Sequence, residues 1–193
     1  EGLQERADRR LAVQQGLLGS VDRREFDVRY RPVVDVVHGH VIGIESVVRW
    51  ESPDHQMLLA DEYFTIAAQS GLVAEISRSN LRLAAAPWFG ADRPSVALSV
   101  NLTLPELLHG GLPDDIEALV ESIPLHLLRL QIPEAALMAP AAQRTVHRLV
   151  AAGMGICVRD FGTATSSLRS LAQLPHASIR IDGSFVSGLE HRN

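Results

Sequence analysis

The chain has no lysine; all 18 of its basic residues are arginines. Codon bias in a GC-rich genome is the ordinary origin of such a composition, and the chemical consequence holds either way. Schiff-base catalysis and lysine-activated nucleophiles are excluded. Cysteine is nearly absent too. The one thiol, Cys157, lies in an apolar run, so no intrachain disulfide can form, and a buried structural role fits it best. Aromatic residues are scarce, with five Phe, two Tyr and two Trp in 193 residues. A chain that is 46% hydrophobic must then build its core from aliphatic residues and alanine. No apolar run approaches the roughly 18 residues of a membrane span, and no secretory signal pattern is present. The expected location is the cytoplasm, either free or as the cytoplasmic part of a larger multidomain or membrane-attached protein. There is no basic excess. The net charge of −5 argues against DNA or RNA as partners, and leaves room for a small anion only where arginines converge. The eight histidines show no pair at helical metal spacing, and no zinc, phosphate-loop or Rossmann glycine pattern occurs. Ser166-Ser167 has no partnered base and reads as a helix start.

The length suits one domain with a real core. Residues 3–18 have charged, helical spacing and read as a linker helix leading in from an upstream domain. The start at Glu1, without Met, reads as a cut from a longer protein. We divide the chain into an incoming helix, 1–22, and a barrel domain, 23–193. The runs FDVRYRPVVDV and HVIGIESVVRW, joined at His38-Gly39-His40, predict a β-hairpin. Beyond Trp50 the pattern alternates. Helices are expected over 61–70, 73–86, 114–122, 140–152 and 166–173. Strands are expected over 95–101, 127–132, 156–160 and 177–182. Short apolar strands alternating with helices predict a parallel α/β sheet or barrel.

Polar residues stand at the carboxyl ends of several strands: Asn101, Gln131, Asp160 and Asp182. In both barrels and open α/β sheets that edge is where sites are built. Helix capping is the simpler role for any one of them taken alone. The stretch GICVRDFGTATSSL adds a puzzle, because Arg159 stands directly beside the acid at the end of its strand.

Taken in order, these motifs resemble the EAL domain, a family of phosphodiesterases that hydrolyse the bacterial second messenger cyclic di-GMP. The residues that carry the resemblance are Tyr30-Arg31-Pro32, Glu45-Ser46-Val47, Arg49-Trp50, Ala68-Gln69-Ser70-Gly71-Leu72-Val73 and Val100-Asn101-Leu102-Thr103. They continue with Leu130-Gln131-Ile132-Pro133-Glu134, Arg159-Asp160-Phe161-Gly162-Thr163-Ala164, Leu174-Pro175 and Arg180-Ile181-Asp182-Gly183-Ser184-Phe185-Val186. The resemblance implies a modified TIM (β/α)8 barrel with one antiparallel strand. Relative to it, the last strand-helix units are missing from this chain. It also implies an upstream sensor or diguanylate cyclase-type domain, and a loop (here Thr163 to Ser167) that couples the site to a homodimer interface. Ala164 and Thr165 replace the usual glycine and tyrosine of that loop.

An active member holds two divalent cations, Mg²⁺ or Mn²⁺, through oxygen ligands. The resemblance puts those ligands on Glu45, Asn101, Gln131, Arg159 and Asp160. Glu45, Asn101 and Asp160 are retained. Gln131 replaces a carboxylate with an amide, and Arg159 replaces one with a permanent cation. The two changes shift the local charge by about three units at neutral pH. At 4 Å and an effective dielectric of 20, each unit contact is worth about 4 kcal/mol against a cation. Arg180 occupies the place of the family lysine and cannot give up a proton. No catalytic set is intact, hydrolysis is expected to be lost, and no cofactor is expected; Mg²⁺ or Mn²⁺ would matter only for residual activity.

What remains is a ligand site without catalysis. Arg31, Glu45, Arg49, Asn101, Arg159, Asp160, Arg180 and Asp182 are the expected ligand-facing residues, with Glu134 and Asp182 orienting the loop after Asp160. Arginine forks suit phosphate oxygens and could stand in for lost metals, which would make a cyclic di-GMP receptor. Two alternatives stay open. Arg49 could simply pair with Glu45 or Asp160, and Arg159 could neutralise Asp160, Glu45 and Asp182 and plug the site. The domain would then be a nucleotide-independent interaction module, with Val120 to Leu128 and the helix after Pro140 as apolar surface. A weak metal-dependent phosphodiesterase is the third and least favoured reading.

Overall fold

A computed structural model describes residues 3–52, 57–88, 95–120, 123–161, 171, 174 and 177–183. The expected loop Thr163 to Ser167 and the expected helix 166–173, apart from residue 171, lie outside these residues.

The scarce aromatics are concentrated. Phe26, Trp50, Tyr63 and Phe64 share one buried cluster with Leu17, Leu58 and Ile76. Tyr63 is its hub, edge-on to Phe26 at 5.6 Å and to Trp50 at 6.3 Å, with Phe64 tilted at 5.1 Å. This cluster fixes α1 (Leu3–Leu17) and α2 (Ala60–Ala67) against the hairpin of β1 (Phe26–Val34) and β2 (Val41–Glu51). Leu17 is 1% exposed, so the first helix is packed on the domain at its end. The hairpin turn runs from Asp35 to His40. The Asp35 N–H donates to the His40 carbonyl, and Gly39 takes a left-handed φ of 71° that favours glycine.

The second core is aliphatic. Leu98 and Val100 of β4 (Ala97–Asn101), Leu128, Leu130 and Ile132 of β5 (Leu128–Pro133), and Ile156 and Val158 of β6 (Gly155–Phe161) form one apolar face. They pack against α3 (Val73–Ala85), α5 (Leu112–Val120) and α6 (Pro140–Ala151). Each helix buries residues at three- and four-residue spacing, as in Ala142, Thr145, Val146 and Leu149 of α6. Pro140 starts α6, and Gly153 ends it with φ 89°. There the Met154 N–H reaches the Leu149 carbonyl and the Gly153 N–H reaches that of Val150.

The sheet order is β1-β2-β4-β5-β6-β7, where β7 is Ser178–Ile181. β1 is antiparallel to β2, and the later pairs along this path are parallel. This matches a modified TIM-barrel architecture with an antiparallel first strand. Two short elements were not expected: β3 (Met57–Leu59), antiparallel to β2, and α4 (Leu104–Leu108). No helix among the described residues is long and apolar enough to cross a membrane.

Candidate functional site

Because strand side chains alternate, the face opposite the aliphatic core carries polar residues. The register sets Glu45 beside Ser99, Asn101 beside Gln131, and Gln131 beside Cys157. Arg31 lies directly across the hairpin from Glu45. At the carboxyl edge of this face is a cavity of about 170 Å³. Its charged lining is Arg31, Glu45, Asp61, Glu106, Arg159, Asp160 and Arg180, with Asn101 and Asn80 beside them.

Arg159 and Asp160 are adjacent in sequence, yet both line the cavity. A β-bulge makes this possible. Between Val158 and Phe161 the β6 strand advances three residues while β7 advances two, and Asp160 takes φ 57°. Asp tolerates the left-handed region better than most residues.

Glu45 is the centre of the polar contacts. Its Oε1 accepts from Arg180 Nη1 at 2.7 Å and from Asn101 Nδ2 at 2.9 Å. Arg180 Nη1 also donates to Gln131 Oε1 at 3.0 Å. Burial pushes the Glu45 carboxyl up, but the hydrogen bonds from Asn101 and Arg180 and the charges of Arg180 and Arg31 outweigh it. The result lies below the usual glutamate range. A depressed carboxyl stabilises the fold above its unfolded pKa, and this contribution fades as pH falls through the folded value. In Arg180→Met the Glu45 carboxyl is expected to titrate higher, because desolvation then acts with one hydrogen bond and one arginine fewer against it. Carbon NMR of the side-chain carboxyl checks this, and an unmoved titration would contradict it.

Arg159 is held twice. Its Nη2 lies 2.8 Å from both carboxylate oxygens of Asp61, and its Nη1 lies 3.1 Å from Asp160 Oδ2. Of the acids expected to neutralise it, Asp160 does so; Asp61, in the first turn of α2, was not anticipated.

The other expected residues lie elsewhere. Arg49 does not line the cavity. The hairpin register puts Asp27 opposite it, and Arg49 Nη2 donates to Asp27 Oδ2 at 2.7 Å, so a cross-strand acid takes the guanidinium expected at Glu45, Asp160 or a ligand. Glu134, 3% exposed after β5, and Asp182, directly after β7, are likewise not among the lining residues. Tyr30, first residue of the first motif, donates its hydroxyl to the Leu83 and Ala84 carbonyls at 3.1 and 3.2 Å, which closes the end of α3.

Sequence reasoning also missed Glu106, a buried carboxylate in the cavity wall. Oε2 accepts from the Thr103 N–H at 2.8 Å and hydroxyl at 2.7 Å, and Oε1 accepts from the Ser77 hydroxyl at 2.7 Å. The signal was present as Thr-x-x-Glu, a capping box at the start of α4. Burial pushes this carboxyl up to about 7, against the three hydrogen bonds and with help from the Asp61 charge.

Donors of the chain itself already sit on oxygens that two divalent cations would need. Mg²⁺ needs near-octahedral oxygen ligands. Here a guanidinium and an amide N–H both donate to Glu45 Oε1, and a second guanidinium donates to Asp160 Oδ2. Among the described residues no group of three or more His, Cys, Asp or Glu is placed to hold a metal ion.

The EAL domain family model matches residues 12–193. The bifunctional diguanylate cyclase/cyclic di-GMP phosphodiesterase MucR of Pseudomonas aeruginosa is 32% identical over 96% of this chain and 28% of its own length. The chain therefore spans less than a third of that relative. A solved structure described as a PaMucR phosphodiesterase–c-di-GMP complex superposes with a TM-score of 0.80 at 29% identity, covering 93% of this chain and 76% of that one. The FimX EAL domain of Pseudomonas aeruginosa, solved bound to c-di-GMP, shares the fold at a TM-score of 0.72 and 23% identity, covering 93% and 74%.

Proposed function

The chain belongs to the EAL domain family of cyclic di-GMP signalling proteins, and we propose that this member binds cyclic di-GMP without hydrolysing it and serves as a receptor or regulatory module. One observation carries the reading: Arg180 Nη1 lies between the Glu45 carboxylate and the Gln131 amide oxygen, where the family resemblance places metal ligands. A cation that belongs to the chain takes the metal's electrostatic role but cannot activate water, since guanidinium does not give up its proton at neutral pH. Arg31, Arg159 and Arg180 line the same cavity, and their planar donors match phosphate oxygens. MucR, whose name joins a diguanylate cyclase to a phosphodiesterase, supports an upstream partner domain of the cyclase type.

The acids beside these arginines favour a second reading. Asp61 and Asp160 neutralise Arg159, and Glu45 neutralises Arg180, so a filled, nucleotide-independent interaction module is the alternative.

Calorimetric titration of cyclic di-GMP in EDTA and then in Mg²⁺ separates the readings. The receptor predicts the same micromolar or tighter binding in both buffers, with no linear dinucleotide formed. Heat in neither buffer points to the interaction module. Metal-dependent turnover overturns both.

A further inference from the structure

The Asp61–Arg159 contact joins residues 98 positions apart across the mouth of the cavity, from the first turn of α2 to the end of β6. Its two partners differ in exposure. The Arg159 side chain is 15% exposed and, among the described residues, its buried Nε has no hydrogen-bond acceptor, whereas the Asp61 side chain is 59% exposed. The guanidinium is therefore anchored, and the aspartate can leave. Asp61 also has somewhere to go. An acid in the first turn of a helix is stabilised there by the helix dipole and by water, with or without a partner. Asp160, by contrast, is held beside Arg159 by the bulged strand.

A carboxylate on one guanidinium nitrogen at 2.8 Å through both oxygens occupies the position a phosphate would take. We propose that Asp61 sets the affinity of this cavity: it is an intramolecular competitor that an anionic phosphodiester must displace from Arg159. The inference rests on the receptor reading for the identity of the ligand, but not for the competition itself. Asp61 keeps affinity moderate, so the site responds to a rise in ligand rather than staying saturated. Removing its charge leaves Arg159 paired with Asp160 through Nη1 and frees Nη2 for an anion.

The test is Asp61→Asn in the whole protein, titrated with cyclic di-GMP by calorimetry and with inorganic pyrophosphate by NMR of the Arg159 Nε–H. Arg159→Gln identifies that signal. Both probes are expected to bind about tenfold tighter or better than to the parent, and adding Arg159→Gln should erase the gain. Asp61→Ser, which keeps a small polar side chain at the helix start, should give the same gain. A pyrophosphate gain with no dinucleotide binding in either protein would uphold Asp61 as competitor and remove the receptor reading. Equal affinities in parent and Asp61 variants for both probes would overturn the proposal, whether or not the parent binds the dinucleotide. A gain that survives Arg159→Gln would overturn it as well.

Discussion

Replacing Arg159 by Asp, Gln131 by Glu and Arg180 by Lys together is expected to make the melting temperature depend on Mn²⁺. The parent places two guanidinium groups on Glu45, Gln131, Asp61 and Asp160. The first two substitutions change the local charge by about three units toward negative. Without metal the new carboxylate at position 159 faces Asp160 and Asp61, and like charges at such range destabilise the fold. With Mn²⁺ the repulsion becomes ligation. A cation at a hundred times its dissociation constant adds about 2.7 kcal/mol. For a domain of this size that is a rise of about 5–10 °C. The parent is expected to shift by less than about 1 °C under the same titration. Differential scanning calorimetry decides the matter. Equal Mn²⁺ shifts in the two proteins would mean that the native residues already hold cations, and the reading of a site closed to metal would fall. Metal-dependent cleavage of cyclic di-GMP by the variant alone would go further, because it would locate the lost chemistry in these three side chains.

The separation between what sequence can and cannot say is sharp at this site. The hairpin and the alternating strands and helices were legible because each depends on local patterning: Val, Ile and Tyr runs, and apolar residues at helical spacing. The short elements left no periodic pattern to read, although the Thr-x-x-Glu capping box marked where α4 begins. Three residues in β3 and five in α4 are too few to show a period. That Glu45, Asn101 and Asp160 share one edge followed from the family motifs, and the register brings all three to the cavity. Pairing partners did not follow. Arg49 meets Asp27 because of hairpin register, and Arg159 meets Asp61 because α2 returns over the sheet after β3. Neither is a spacing that can be read along the chain. The bulge at Asp160 was equally hidden, since nothing in the residue itself announces a left-handed φ at that point. A family motif thus names who is at the site, while long-range geometry decides which charges are already spent on one another. That distinction bears directly on ligand affinity here, because Arg159 and Arg180 must each be separated from an acid, or shared with it, before they meet a phosphate.

Glu106 supplies the second large effect. The carboxyl is 2% exposed and its ordinary value of 4.5 is pushed up to about 7 by burial. A carboxyl whose folded pKa exceeds its unfolded value binds more protons in the folded state between the two. Stability is therefore present in full below pH 4.5, and it is lost as pH rises toward 7. The loss is on the order of 3 kcal/mol by the top of that window. Glu25, Asp27, Asp35 and Glu45 work in the opposite sense, since each lies below its usual value. Their contribution disappears only as pH falls through the folded values, and it is common to parent and variant. Glu106→Gln isolates the buried group. Its amide oxygen can still accept from the Thr103 N–H and hydroxyl, and its NH₂ can donate to the Ser77 oxygen, so the polar contacts survive without the charge. The variant is expected to equal the parent near pH 4.5 and to exceed it by about 1–3 kcal/mol at pH 8, a rise of roughly 3–10 °C in melting temperature. Urea unfolding at four or five pH values measures the difference directly. Parallel stability curves for the two proteins would show that the Glu106 carboxyl titrates alike in the folded and unfolded states, which contradicts the raised value.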